Sequence, residues 1–142
     1  IFVLNAHFEN DPFIAEAMEI AAKKLRSSVR FVLSNWWDPM DESLIPKLFD
    51  KVPFPGWALE HAAITETSLM LYFSPELVHM DRMVQQTPVH PLPYCEYPPR
   101  RGLVPESGVL ASAYSSSAEK GGMIVENVLP KLIQIAQAVF DG

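Results

Sequence analysis

The chain opens on an unbroken apolar run, Ile1 to Leu4, which leads directly into the polar sequence Asn5-Ala6-His7-Phe8-Glu9-Asn10. Helical periodicity begins at Asp11, and an apolar run followed by a helix predicts a central parallel strand buried on both faces. Ligand sites in open α/β sheets gather at the carboxyl ends of such strands. The opening therefore predicts an α/β fold with a functional site immediately after its first strand.

The first candidate ligands are His7 and Glu9, which lie two residues apart. In an extended segment, side chains at this spacing project to the same side of the chain. An imidazole and a carboxylate at a strand end are donors that Zn and Mn accept. The alternative is a capping and hydrogen-bonding cluster at the helix entry, and a His-x-Glu pattern alone does not separate the two.

A βαβ unit is predicted to follow from this start. The first helix is expected from Pro12 to Leu25, capped by Asn10 or Asp11, and a second buried strand from Val29 to Leu33. That strand also ends in polar and aromatic residues, Ser34-Asn35-Trp36-Trp37-Asp38-Pro39. Because parallel strands end at the same edge of a sheet, we expect the two loops to line one crevice.

The later elements are predicted from helical spacing, prolines and caps. They are a short helix over Glu42–Phe49 interrupted near Pro46, a helix beginning near Ala62 or Ala63 and ending by Ser74, a helical turn within Glu76–Met83, a long proline-rich ordered loop over Gln86–Val109, and a final helix opened by the capping box Ser116-Ser117-Ala118-Glu119. Pro130 falls inside the final helix, where it is expected to kink the helix or to cost about 3 kcal/mol.

Composition argues against several classes of protein. The net charge of −6 and a pI near 5.1, without a basic cluster, argue against nucleic acid as a partner. No run approaches the roughly 18 consecutive apolar residues that predict a membrane span. A single cysteine, Cys95, and no signal peptide predict a cytoplasmic protein. The chain starts at Ile1 inside an expected central strand, so we expect it to be the later part of a longer protein.

Other chemical candidates carry two interpretations each. His61, beside Glu60, is either a cap or buried hydrogen-bonded residue, or a catalytic group. Trp36, Trp37 and Trp57 are either core aromatics or faces on which a flat, partly cationic ligand stacks. Four further residues are not expected to be catalytic. Glu66 is interpreted as a helix-surface or supporting residue, His79 and His90 as solvent-facing residues, and Cys95 as a thiol with no base nearby.

Four segments together resemble the creatininase (creatinine amidohydrolase) family: Asn5–Asn10, Trp37-Asp38, Gly56-Trp57-x-x-Glu60-His61 and Glu66–Leu71. They stand in the order and spacing of the family. The segment Pro75–Arg82 and the serine-rich entry to the last helix extend the likeness over nearly the whole chain. Each segment is weakly specific, and their combination is highly specific.

The resemblance implies a Rossmann-like α/β domain of mainly parallel strands flanked by helices, with a site for two divalent metal ions, Zn or Mn, and a homohexameric assembly. It places His7 and Glu9 on metal ligands, one for each metal. It places His61 on the catalytic histidine, with Glu60 as a possible orienting neighbour. The whole of 1–142 would be the C-terminal portion of one domain, whose earlier segment supplies further metal ligands.

Substrate-side positions are also implied by the resemblance. Trp57 and Trp37 fall on tryptophans that contact substrate and close the pocket, and Phe8 falls where well-known creatininases have Tyr. A carboxylate in the first motif, Glu9, resembles creatininases proper rather than related deformylases and peptidases. Ala58 departs from the pattern, because creatininases carry there an Asp that helps to hold substrate.

The expected reaction is hydrolysis of a cyclic amide, creatinine to creatine, through a metal-activated bridging water, followed by proton transfer from His61 to the departing ring nitrogen. Two alternatives stay open. One is a creatininase-like hydrolase acting on another cyclic amide or a cyclitol-derived ketone, which Ala58 and Phe8 favour. The other is a non-catalytic chain that oligomerises through its proline-rich loop and last helix.

Overall fold

The structure is a computed structural model that describes residues 1–25, 29–84 and 102–141, together with Tyr94, Glu96 and Pro98. The fold is mixed α/β, as predicted. Its strands are β1 (Phe2–Asn5) and β2 (Val32–Asn35), and its helices are α1 (Asp11–Leu25), α2 (Ile45–Leu48), α3 (Ile64–Phe73) and α4 (Ala118–Asp141). The chain forms two compact units, one of residues 1–41 and 126–142 and one of residues 42–125.

The first unit contains the predicted βαβ arrangement. β1 and β2 pair in parallel, in a register that sets Phe2 opposite Val32 and Asn5 opposite Asn35. Both strands extend further toward the carboxyl end than predicted, since Asn5 and Asn35 still belong to the ladder. The backbone N–H of Trp36 donates to the carbonyl of Asn5 at 3.1 Å, which carries the pairing to the start of the second loop.

The prediction that the first strand is buried on both faces is wrong for the described residues. Ile1 is 58% exposed and Leu4 is 50% exposed. The sheet formed by residues 1–25, 29–84 and 102–141 has two strands, so each has one hydrogen-bonded neighbour. α1 has no buried residue, and Phe13 on it is 69% exposed. The strands and α1 thus leave much apolar surface uncovered.

The last part of α4 is tied to the residues that follow β2. Asn127 accepts the N–H of Asp41 at 3.0 Å and donates to its carboxylate at 2.7 Å. Lys131 pairs with the same carboxylate at 2.8 Å and donates to the carbonyl of Pro39 at 3.0 Å. These hydrogen bonds, led by that from Lys131, hold the pKa of Asp41 below its usual range.

The second unit has its own core. Its buried apolar residues are Leu44, Leu48, Phe49, Ala63, Ile64, Ala111, Ala113 and Ile124. The predicted short helix is a 3-10 turn over Glu42–Leu44 that continues into α2, with Pro46 in the first turn of α2, where its missing N–H is tolerated. α3 begins and ends where predicted, and 3-10 turns follow over Pro75–Leu77 and Met80–Arg82.

The cap of α4 lies one residue later than predicted. The hydroxyl of Ser117, not Ser116, accepts the N–H of Lys120 at 3.2 Å. The hydroxyl of Ser116 instead donates to the carbonyl of Ala113 at 2.7 Å. Lys120 is itself buried and pairs with Asp50 at 2.5 Å. An ion pair therefore stabilises the first turn of α4 in addition to the cap.

α4 runs unbroken through Pro130, which lies inside it. By length and composition alone, α4 is also long and apolar enough to cross a membrane, a criterion that core helices of soluble proteins also meet. Ile124 and Val128 on α4 are buried, whereas Leu129, Ile133 and Phe140 are exposed. The prediction for Gln86–Val109 falls mostly outside the described residues, although 102–109 is irregular as expected.

Candidate functional site

The loops after β1 and β2 meet at the carboxyl end of the strand pair. The amide nitrogen of Asn5 donates to the side-chain oxygen of Asn35 at 2.8 Å, and Asn5 is 2% exposed. A parallel register that pairs Asn5 with Asn35 makes this contact possible. The side chains that end β1 and β2 thus contact each other, and the prediction that the two following loops line one crevice stays a prediction.

His7 and Glu9 form a direct pair in the first loop. Nδ1 of His7 lies 2.5 Å from Oε2 of Glu9, and the two side chains are 42% and 57% exposed. The assumption of a fully extended segment is wrong, since His7 is extended but Phe8–Asn10 form a 3-10 turn. The turn still brings the carboxylate back to the imidazole. An exposed imidazole–carboxylate pair is compatible with metal binding, because both groups can be reached from solvent.

Aromatic side chains lie beside this pair. The rings of Phe8 and Trp37 are 6.2 Å apart and tilted by 30°, and Trp36 meets Trp37 edge-on at 5.8 Å. Phe8 belongs to the first loop and Trp37 to the second. Two predicted substrate-side residues are therefore brought together with the predicted metal ligands in one unit.

Trp57 belongs to an aromatic group of the second unit. Its ring meets that of Phe54 edge-on at 5.1 Å, and Phe54 in turn lies 4.8 Å from Phe49. Gly56 immediately before it has φ of +89° and ψ of 150°, a conformation that side chains disfavour. The backbone of this turn thus favours glycine before Trp57, and Ala58 after Trp57 is exposed.

His61 lies in a turn that two carboxylates hold in place. Glu60 accepts the N–H of Thr65 at 2.9 Å and also the hydroxyl of Thr65. Glu66 accepts the N–H of Ala62 at 2.6 Å, and Ala62 has φ of +53°, in the left-handed region. The turn is therefore clamped on both sides of His61, and the interpretation of Glu66 as a supporting residue fits this contact.

Glu60 is 6% exposed, and this burial raises the pKa of its carboxyl, with the negative charge of Glu66 adding to the effect. The hydrogen bonds from Thr65 act in the opposite direction and are outweighed. By accepting the N–H of Thr65, the side chain of Glu60 caps the start of α3. Its role in orienting His61 stays a prediction.

The donors of the first unit fit part of a metal centre. His7 and Glu9 offer a nitrogen and an oxygen of the kinds that Zn and Mn bind. Within residues 1–25, 29–84 and 102–141, no group of three or more His, Cys, Asp or Glu side chains is arranged to hold a metal ion. His7 and Glu9 would thus be two ligands of the predicted metal centre, and their role stays a prediction.

Three contributors to these sites were not singled out from the sequence: the amides of Asn5 and Asn35, and the left-handed Ala62. An asparagine within two residues after each of the two predicted parallel strands was a usable signal for the first two. Nothing in the sequence marks Ala62. Of the predicted bystanders, His79 is exposed as expected, while His90 and Cys95 lie outside the described residues.

Comparison with known proteins places this geometry in one family. Residues 1–136 match the model of the creatininase family, described as creatinine amidohydrolase. The chain belongs to the creatininase family. It is 37% identical over 131 residues to a creatinine amidohydrolase of Pseudomonas putida, a match covering 89% of this chain and 50% of the relative.

Solved structures agree with the family assignment. The chain is similar to a Mn creatininase with a TM-score of 0.89 and 34% identity, over 99% of this chain and 56% of the other. It is similar to a creatininase with one glutamate replaced by glutamine, complexed with creatine, with a TM-score of 0.88 and 33% identity, over 99% of this chain and 57% of the other. The chain thus spans about half the length of the creatininases it matches.

Proposed function

We propose that this chain belongs to a metal-dependent cyclic amidohydrolase that converts creatinine to creatine. The observation that carries the proposal is the His7–Glu9 pair, 2.5 Å apart at a strand end and beside the Phe8–Trp37 contact, in a chain matching the creatininase family from residue 1 to residue 136. A related creatininase is complexed with creatine, which supports creatine as the product.

His7 and Glu9 are the residues of this chain that would hold the metal ions, Zn or Mn. Relatives in Mn and Zn–Zn forms support that choice of metals. When bound, such ions supply Lewis acidity, which lowers the pKa of water and polarises a carbonyl oxygen. The 2.5 Å contact between Nδ1 of His7 and Oε2 of Glu9 holds the two donor side chains next to each other.

His61 is proposed as the proton donor of the reaction. Hydrolysis adds the oxygen of water to the ring carbonyl carbon and breaks the carbon–nitrogen bond, so the departing nitrogen must gain a proton. A histidine at a fixed position is suited to deliver it near neutral pH. The clamped turn, with Glu60 on Thr65 and Glu66 on Ala62, supports a fixed position for His61.

The aromatic residues are proposed to bind the planar ring. Trp37 and Phe8 present partly exposed rings beside the metal ligands, and Trp57 is held by its contact with Phe54. Flat, delocalised ligands bind to aromatic faces by stacking and cation–π attraction. Trp57 and Trp37 would also exclude water from the reacting carbonyl.

A second candidate is hydrolysis of another cyclic amide or of a cyclitol-derived ketone by the same residues. The observation that favours it is Ala58, which is exposed directly after Trp57 and has no polar group to hold a substrate. Assembly into a homohexamer and a cytoplasmic location are further proposals, which light scattering and cell fractionation test.

Replacing His61 tests the proposal on the reaction itself. We expect His61→Ala to reduce creatinine turnover by about 100-fold or more, the range for loss of a general acid, while metal content stays unchanged. His79→Ala is the matched control, since His79 is an exposed histidine of the same unit. Full turnover by His61→Ala would contradict the assigned role.

A further inference from the structure

Asn5 is a polar residue in an almost fully buried position at the end of β1, with 2% of its surface exposed. Burying an amide is costly unless its donors and acceptor are satisfied. Nδ2 of Asn5 donates to the carbonyl of His7 at 2.8 Å and to Oδ1 of Asn35 at 2.8 Å. Oδ1 of Asn5 accepts the N–H of His7 at 3.1 Å.

The amide of Asn5 therefore engages both backbone polar groups of His7. This double contact fixes the peptide groups on either side of His7, which has φ of −139° and ψ of 128°. The main chain of His7 determines the orientation of the amide, because Nδ2 faces the carbonyl of His7 and Oδ1 faces its N–H. The carbonyl of His7 also accepts the N–H of Asn10 at 3.1 Å, which closes the 3-10 turn that contains Glu9.

The same amide reaches the second loop through Asn35. The N–H of Asn35 donates to the carboxylate of Asp38 at 3.0 Å, and the N–H of Asp38 donates back to the carbonyl of Asn35 at 3.2 Å. These bonds close a turn around Trp36 and Trp37. The buried side chain of Asn5 is thus hydrogen-bonded both to His7 and to Asn35, the first residue of the turn that contains Trp36 and Trp37.

We propose that Asn5 is a positioning residue that sets the backbone of His7 for metal binding and, through Asn35, aligns the turn that carries Trp37. Asn5 touches neither metal nor substrate in this role and acts through the two loops. The inference rests on the proposed function for the identity of His7 as a metal ligand. Its test uses metal binding and amide exchange, which do not require turnover.

The first test titrates Zn²⁺ into the wild-type protein and into Asn5→Ala, with affinity measured by calorimetry. Residues that orient a metal ligand affect affinity by about 10- to 100-fold, so we expect the dissociation constant to rise by about tenfold or more. Asn127→Ala is the matched control, because Asn127 makes comparable hydrogen bonds to Asp41. We expect that control to lose stability and to keep its Zn²⁺ affinity.

The second readout is backbone amide exchange measured by NMR. In Asn5→Ala the N–H of His7 loses its acceptor, so its exchange should accelerate by about tenfold or more, whereas the N–H of Trp36 keeps the main-chain carbonyl of Asn5 as its acceptor and should stay protected. Asn35→Ala separates the two roles. It should leave the His7 amide protected and should change the fluorescence of Trp36 and Trp37.

If Asn5→Ala does not fold, Asn5→Asp replaces it, since a carboxylate keeps the acceptor for His7 N–H but sets an oxygen against the carbonyl of His7 and Oδ1 of Asn35. Weaker Zn²⁺ binding by this variant supports the inference as well. Unchanged Zn²⁺ affinity in the folded variant, or no Zn²⁺ binding by the wild type, overturns it. If the Zn²⁺ affinity of the wild type depends on Asn5 but the wild type does not hydrolyse creatinine, then creatinine is not the substrate. The positioning role of Asn5 would still stand in that case.

Discussion

At the scale of single residues, Glu60 is a carboxylate in a buried position whose ionisation has a cost. Burial raises its pKa above the ordinary value of 4.5, so the folded protein favours the protonated form more than the unfolded chain does. The contribution of Glu60 to stability is therefore complete below the unfolded pKa and is lost as the pH rises through the folded pKa. The aspartates paired with lysines, Asp41 and Asp50, have lowered pKa values and act in the opposite direction.

Glu60→Gln isolates this effect, because glutamine keeps the shape of the side chain and cannot ionise. We expect the free energy of unfolding of the variant, relative to the wild type, to increase as the pH rises above about 4.5 and to level off above the raised pKa. Urea denaturation at a series of pH values measures it. A difference that does not change between about pH 4 and about pH 8 would contradict the raised pKa.

Gly56 is the residue that the turn before Trp57 needs for its backbone. No atom lies within 4 Å of a Cβ added there, so an alanine would meet no neighbour, but its φ would be +89°. We expect Gly56→Ala to lower the free energy of unfolding by about 1–3 kcal/mol through backbone strain alone. An unchanged denaturation midpoint would show that the turn adopts another conformation.

At the scale of elements, α3 and α4 are in close contact at a glycine of α4, Gly121. A Cβ on Gly121 would lie 2.2 Å from the carbonyl oxygen of Ser68 and 2.6 Å from Cβ of Tyr72. The buried hydroxyl of Ser68 also accepts the N–H of Ser117 at 3.2 Å. The two helices therefore meet through backbone atoms, and this contact leaves no room for a side chain.

Gly121→Ala and Gly122→Ala form a matched pair of variants. Alanine gains about 0.5–1 kcal/mol over glycine inside a helix, which applies equally to both positions. At Gly121 the clash with Ser68 should outweigh this gain and lower the free energy of unfolding by about 1–3 kcal/mol. At Gly122 the nearest atom is the ring of Tyr72 at 3.3 Å, so stability should stay the same or rise. Thermal unfolding compares them, and equal effects would contradict the close helix contact.

The sequence predicted the βαβ arrangement, α3 and α4 because apolar periodicity, prolines and caps are local signals. It placed the cap of α4 on Ser116 rather than Ser117, since adjacent serines offer equivalent hydroxyls. His7 and Glu9 were predicted to lie together on an extended segment, whereas they contact each other across a 3-10 turn. A 3-10 turn has no strong sequence pattern by which it could be predicted. The contact of Glu66 with Ala62 depends on the geometry of the turn, for which the sequence has no local signal. The contact of Asn5 with Asn35 depends on the strand register, for which the asparagine after each predicted strand was the one available signal.

At the scale of the whole molecule, the unit that carries His7 and Glu9 has much apolar surface in contact with solvent. Leu4 is 50% exposed, although it belongs to the strand predicted to be buried, and Ile20 on α1 is 47% exposed. Large exposed apolar surface is typical of regions that pack against other protein. The chain spans about half the length of the creatininases it matches.

The most direct test of the proposed function is to load the protein with Mn²⁺ or Zn²⁺, add creatinine and follow creatine by NMR. We predict that creatine forms at an enzymatic rate, that chelation of the metal stops its formation, and that the reaction also runs from creatine to creatinine. A metal-loaded protein that forms no creatine would contradict creatinine as the substrate. The same preparation would then be tested with other cyclic amides and with cyclic ketones.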